Sequence, residues 1–357
     1  MRTFAGADRT ELGRVLAKLR RSVGVRTVAP GLHVLRPLPV PPGGPIGRRV
    51  QTAVLREHVR HTKRQLRLAE PTVSWFSLPV AAPLRGRLGD RGSLLYYQDR
   101  YDAFTHVDAP YLRRCLADLA DGCDVSIATA VDLAHDLQAL GAEPHVVPHG
   151  VDAEQFAGVW SAVPPDLAGL ERPLVGYVGL VDDYLAFDHL LAVANRLSQG
   201  SLVVVGGVNT DVSALRHERI HMLGRRDFAS IPSYVAAFDV CLIPFRITRL
   251  TMGVNPIKLR EYLAAGRPVV STPMPEVLPY ADVVAIADGA ETFAEATLRL
   301  LAPGADDERV REARRARVRS EGWDAIATRI SPLLEEAIEI GSRRHSARVR
   351  RPHGGFK

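Results

Sequence analysis

Short apolar runs bounded by glycine or proline alternate with segments of helical period along nearly the whole chain, and few folds accept that alternation. A strand that always meets a helix before the next strand builds parallel sheets covered on both faces. The chain is therefore expected to be α/β and doubly wound. In the first part, strands are expected near 33–40, 72–77, 93–98, 124–129 and 145–148, with helices around 46–69, 109–121 and 130–140. A stretch rich in proline and small residues, 161–172, reads as a linker. Strands then fall near 174–178, 201–205, 220–223, 240–244 and 269–272, with a weaker one at 283–287. Helices are expected around 186–198, 229–238 and 256–265, and charged helices fill 290–340. A length of 357 residues, 46% of them hydrophobic, accommodates two such domains with a core each and excludes a disordered chain.

The stretch 255–272 (NPIKLREYLAAGRPVVST) carries the most chemistry. Pro256 suits a first helical turn, Leu259, Tyr262 and Leu263 recur at helical spacing, and Gly266 stops the helix. A buried strand follows at 268–272. A helix start offers free N–H groups and a positive dipole end to an anion. Lys258 adds a full charge there, and Glu261, one turn on, is placed to accept from ribose hydroxyls. Together they point to a bound nucleoside diphosphate.

Charge is uneven. Residues 1–150 hold 21 basic and 14 acidic side chains, and 341–357 hold 6 basic and none acidic. A basic helix over 46–69 reads as a cover for the first sheet with a solvated back, or as a surface drawn to anionic lipid. Aromatic residues make up only 6% and no recognition module appears, so nucleic acid is not an expected partner. Cys115, Cys123 and Cys241 read as reduced core residues of a cytoplasmic protein, and no signal core or membrane-length apolar run is found.

Four further segments complete a family resemblance. They are 145–156 (HVVPHGVDAEQF), 174–179 (LVGYVG), 221–226 (HMLGRR) and 237–244 (AFDVCLIP). With 255–272, in this order and spacing, the chain resembles the GT-B glycosyltransferases, in particular the family-4-like retaining enzymes of bacterial surface polysaccharides. The resemblance implies two Rossmann-like domains facing each other across a cleft, with the N-terminal one incomplete. Residues 1–155 would form the acceptor side, 156–172 a linker, and 173–340 the nucleotide-sugar domain, its last helix packing back on the first. The tail 341–357 is expected to be disordered and basic.

The resemblance implies transfer of a sugar from a nucleoside-diphosphate sugar to a saccharide or polyprenyl-linked acceptor, without a metal or other cofactor. The implied donor site comprises Gly179, Arg225, Asn255, Lys258 and Glu261, with Lys258 and Asp99 in the chemistry. Arg246 and Arg249 are candidate helpers for the phosphates. Several features depart from the family pattern. The family carries two glutamates separated by seven residues; Glu261 fits the second, and Gly253 stands at the first. His149 replaces the asparagine of the family's PNGVD segment. Asp182 and Asp183 follow the glycine loop where basic residues are usual. The first βα unit is expected to be absent, the chain opening on a loop and a basic helix at 11–21, so that the true start would lie upstream or the gene be truncated. Two other readings stay open: a non-catalytic GT-B-shaped binding or scaffold protein, and another GT-B enzyme such as a nucleotide-sugar epimerase.

Four residue groups have competing readings. Asp99 either faces the reacting sugar or pairs with Arg100 in a loop. Arg225 and Arg226 either touch the nucleotide or are solvated. His217 to His221 spells HExxH, but the second half reads as a strand, which turns the imidazoles away from a shared helix face. Ser271 and Thr272 read as strand-end residues rather than nucleophiles.

Overall fold

The computed structural model describes residues 24–37, 44–158 and 163–349. It contains two parallel sheets and one hairpin. The hairpin pairs β1 (Gly24–Ala29) with β2 (Leu32–Arg36) antiparallel. The strand expected over 33–40 is thus half of a separate ribbon, turned at Pro30-Gly31 with Gly31 at φ +75°. Residues 38–40 and the helix expected at 11–21 lie outside the described residues.

The first parallel sheet runs in the order β3 (Val73–Phe76), β4 (Gly92–Tyr97), β5 (Val125–Ala128) and β6 (Pro144–Val146). Helices Ala109–Gly122 and Val131–Ala139 cover one face over Phe76, Leu95 and Tyr97. Asp108 caps the first of these by accepting from Tyr111 N–H at 3.1 Å. The helix Gly44–Gln65 is tied to the same domain by Lys63, whose ammonium reaches Asp90 at 2.7 Å. Cys115 and Cys123 lie buried and unpaired in this core. No helix among the described residues is long and apolar enough to cross a membrane.

The second sheet has six parallel strands: β7 (Leu174–Val178), β8 (Ser201–Val205), β9 (Ile220–Gly224), β10 (Val240–Ile243), β11 (Val269–Ser271) and β12 (Ala285–Ile286). Their order is β12-β11-β10-β7-β8-β9. Both faces of β7 and β8 are buried, which explains their continuous apolar runs. At the centre, Gly176 is required because a Cβ there would overlap the Phe238 ring.

The chain crosses between the sheets twice. Val151 bridges to Gly322, with Val151 N–H donating to the Glu321 carbonyl at 3.0 Å. The helix Trp323–Val349 then returns to the first sheet and buries Leu94, Tyr96, Val125 and Ile127 beneath Ile326 and Ala337. Two glycines let the backbones touch. A Cβ on Gly92 would meet the Ala337 carbonyl at 2.6 Å, and one on Gly341 would overlap that of Arg91. Arg344 ends the contact on Asp124 at 3.1 Å and on the Gly122 carbonyl at 3.2 Å.

The expected disorder from Gly341 is therefore corrected: the helix continues to Val349, and past its apolar face on the first sheet it is tied down by the Gly341 backbone contact and by Arg344. Residues 350–357 lie outside the described part, as do 159–162 in the expected linker. The rest of that linker is anchored. Asp166 accepts from Arg226 Nη2 at 2.7 Å and from Tyr234 Oη at 2.9 Å.

Candidate functional site

All six strands of the second sheet run parallel, so their C-terminal ends share one edge. The helix Ile257–Ala264 connects β10 to β11 and must start on that edge. Pro256 sits at its N-cap, one position earlier than the sequence suggests, and no side chain caps the first turn. Lys258 lies in that turn. Its ammonium stands 4.7 Å from the ring centre of Phe245 and 5.5 Å from that of Tyr177, without an ion-pair partner among the described residues. Burial pushes its pKa down to about 8 against the opposing pull of Glu261. Burial also raises Glu261, which Lys258 draws the other way.

The loops around this cation are fixed. Gly179 takes φ +148°, and a Cβ there would lie 2.9 Å from Tyr177 Oη and 3.1 Å from Lys258 Cε. The hydroxyls of Tyr177 and Tyr184 both donate to the Leu180 carbonyl at 2.8 Å. Tyr262, on the helix itself, accepts from Val178 N–H at 2.8 Å. Tyr184 packs edge-on to Phe245 with ring centres 4.9 Å apart. A cation on an aromatic floor beside uncapped helix N–H groups is equipped to receive a polyanion.

Asp99 follows β4 in the opposite domain. Burial lifts its pKa to about 6. The Tyr184 hydroxyl is raised to about 12, first by burial and then by the fields of Asp182 and Asp99, against a hydrogen bond to Tyr177. The alternative pairing of Asp99 with Arg100 does not occur. Arg100 is 5% exposed, and binds Asp132 and Asp136 at 2.7 Å each. It also donates to the carbonyl of Arg249 in the second domain.

Residues 172–303 match the model of the family described as glycosyl transferases group 1. A putative teichuronic acid biosynthesis glycosyltransferase of Bacillus subtilis strain 168 is 30% identical over 198 residues, covering 52% of this chain and 49% of that protein. The chain thus spans about half the length of the curated relative it matches. Sucrose-phosphate synthase of Thermosynechococcus elongatus superposes with a TM-score of 0.68 at 19% identity, over 91% of this chain and 86% of that one. The fold is GT-B. HepE of Anabaena, solved with UDP-glucose, gives a TM-score of 0.62 at 15% identity, over 82% and 84% of the two chains.

Within the GT-B frame the expected donor residues separate. Gly179 lies against the Lys258 side chain, and the charges of Lys258 and Glu261 act on each other. Arg225 is exposed at the end of β9, without a side-chain partner among the described residues. Asn255 is corrected. It is 3% exposed; its Nδ2 donates to Glu276 at 2.7 Å and its Oδ1 accepts from Arg260 at 2.7 Å, so both ends of its amide are engaged within the protein. Arg249 is corrected likewise, since its guanidinium pairs with Asp102 across the cleft at 2.9 Å. Arg226 is held by Asp166 and Tyr234, whereas Arg246 is exposed.

Asp182 turns its carboxylate to Asp183 N–H at 2.8 Å and to Asn209 at 3.4 Å. Ser271 and Thr272 donate to strand carbonyls. In the HExxH segment, His217 bonds Asn195 in a turn and His221 sits on β9, so no helix carries the pair. His149, between Tyr96 and Trp323, is driven to a pKa of about 4 by burial and by Arg260.

Nothing in the sequence signals the aromatic cradle. Tyr177, Tyr184 and Phe245 read as core residues, and only Lys258 itself shows that a charge lies above them. Gly253, at the family's first glutamate position, packs against the opposite domain. A Cβ there would lie 2.6 Å from Leu133, which is fully buried. Gly253→Glu is expected to overpack this contact and lower stability by about 1–3 kcal/mol, measured by urea unfolding. An unchanged midpoint would contradict the close approach.

Proposed function

We propose that the chain is a glycosyltransferase that moves a sugar from a nucleoside-diphosphate sugar to a saccharide or polyprenyl-linked acceptor, with retention and without a metal. The observation that carries this reading is Lys258, a half-buried ammonium without an ion-pair partner among the described residues, at an uncapped helix start beside Gly179. The bond between the anomeric carbon and the diphosphate breaks as the acceptor oxygen bonds to that carbon from the same face. The acceptor proton passes to the departing phosphate oxygen. Lys258 and the helix N-terminus take the developing charge, which is the work a metal would otherwise do. Glu261 accepts from the ribose. Asp99, across the cleft, orients the acceptor hydroxyl. The structural likeness to HepE of Anabaena, which is solved with UDP-glucose, supports a nucleotide-sugar donor.

The acceptor side faces a cytoplasmic membrane surface in this reading. The helix Gly44–Gln65 carries Arg48, Arg49, Arg56, Arg60, Lys63 and Arg64 against Glu57, which supports peripheral contact with anionic lipid. The test of function is nucleoside-diphosphate release from a panel of nucleotide sugars, with and without candidate acceptors, as a function of pH. Release that needs an acceptor separates a transferase from an epimerase or a binding protein. The expected kcat/KM profile is bell-shaped. It falls below about 6, where Asp99 protonates, and above about 8, where Lys258 loses its charge. A flat profile over this range would remove both residues from the chemistry.

A further inference from the structure

The helix Val131–Ala139 lacks a cap of its own, because Ala130 at its N-cap has no side-chain oxygen to offer. The missing acceptor comes from the other domain. Glu276, in the turn after β11, accepts from Val131 N–H at 2.9 Å through one carboxylate oxygen. Its other oxygen accepts from Asn255 Nδ2 at 2.7 Å. Asn255 Oδ1 accepts from Arg260 Nη1 at 2.7 Å, and Arg260 Nε donates to Glu321 at 2.6 Å. One polar chain therefore runs from the first domain, under the helix that bears Lys258, to the segment where the chain crosses back. Asn255 has both its amide oxygen and its amide nitrogen engaged, and Arg260 is 2% exposed.

We propose that Glu276 is a positioning residue that makes closure of the two domains and the placement of the Lys258 helix one event. When the cleft opens, Val131 N–H leaves the carboxylate, the first domain's helix loses its cap, and Glu276 no longer has a reason to hold Asn255 in one orientation. Asn255 in turn fixes Arg260, two residues from Lys258. When the cleft closes, the carboxylate is aimed from both sides and the chain is complete. That this positions the helix for a diphosphate rests on the function proposed above; the clasp itself does not.

The test is amide hydrogen exchange on the ligand-free full chain. In Glu276→Ala, amides of 131–135 and of 257–261 should both exchange about fivefold faster, from the loss of the Val131 cap at one end and of the restraint on Asn255 at the other, while β8 is unchanged. A simple local cap would loosen 131–135 alone. Asn255→Ala, at a side chain whose hydrogen bonds go to Glu276 and Arg260 of the second domain, should also speed exchange at 131–135. Glu276→Gln supplies a gentler variant: it still accepts from Val131 N–H but presents an amide donor to Asn255, so 257–261 should loosen and 131–135 should also exchange faster, by less than in Glu276→Ala. Unchanged exchange at 131–135 in Glu276→Ala, or an Asn255→Ala effect confined to its own helix, would overturn the proposal. Added UDP, GDP, dTDP or ADP should slow exchange at 131–135 in the native chain and not in Glu276→Ala. If none of the four has any effect on either chain, the donor site is contradicted, and the ligand-free comparison still decides the clasp.

Discussion

Lys258→Ala is expected to weaken nucleoside-diphosphate binding at least about a hundredfold, because a charge-assisted contact to phosphate in a desolvated site is worth about 3 kcal/mol. The variant should fold normally. The ammonium pKa is depressed from 10.5 to about 8, so burying the charged form opposes folding. That opposition is fully present below about 8 and is relieved as pH rises from there towards 10.5, where the folded chain has already released the proton the unfolded chain still holds. Alanine lacks the penalty, so its melting temperature at about pH 7 should equal or exceed that of the native chain. Weaker binding with undiminished stability separates a ligand-binding cation from a structural one. Retained affinity, or a large loss of stability, would assign Lys258 to the core.

Arg260→Ala is expected to do the opposite, costing about 3–5 kcal/mol of stability with a smaller direct effect on the ligand. Its side chain is 3% exposed and meets Glu321 at 2.6 Å and Asn255 at 2.7 Å. Removing it strands a carboxylate and an amide oxygen in a buried setting, although Tyr280 still donates to Glu321 at 2.7 Å. The double variant Arg260→Met, Glu321→Leu should recover much of the loss, since a well-packed apolar pair avoids the desolvation of both charges. Urea unfolding of the two variants measures the difference. A loss under about 1 kcal/mol for Arg260→Ala would contradict the buried network.

What the sequence makes legible follows from the range of each interaction. β7, β8 and β10 are buried on both faces and therefore announce themselves as apolar runs. The hairpin partner β1 passes unnoticed because Gly24–Ala29 is almost wholly exposed and lacks a buried face to set a pattern. The helical course of 341–349 is equally silent, since it depends on Gly341 meeting Arg91 and on Arg344 reaching Asp124, both far apart along the chain. At the site, Lys258, Glu261 and Gly179 are readable from a helix start and a glycine loop. Asn255 and Arg249 have the right chemistry for a phosphate, but Glu276, Arg260 and Asp102 already occupy them. Residue type shows what a side chain can bind; only the fold shows what it has bound. The 161–172 stretch makes the same point, as its composition says linker while Asp166 fastens it to Arg226 and Tyr234.

The most direct measurement is calorimetric titration of the full chain with UDP, GDP, dTDP and ADP. Saturable binding of one of them at a single site is expected, weakening as pH rises through about 8. A folded chain that binds none of the four would contradict a donor site at Lys258.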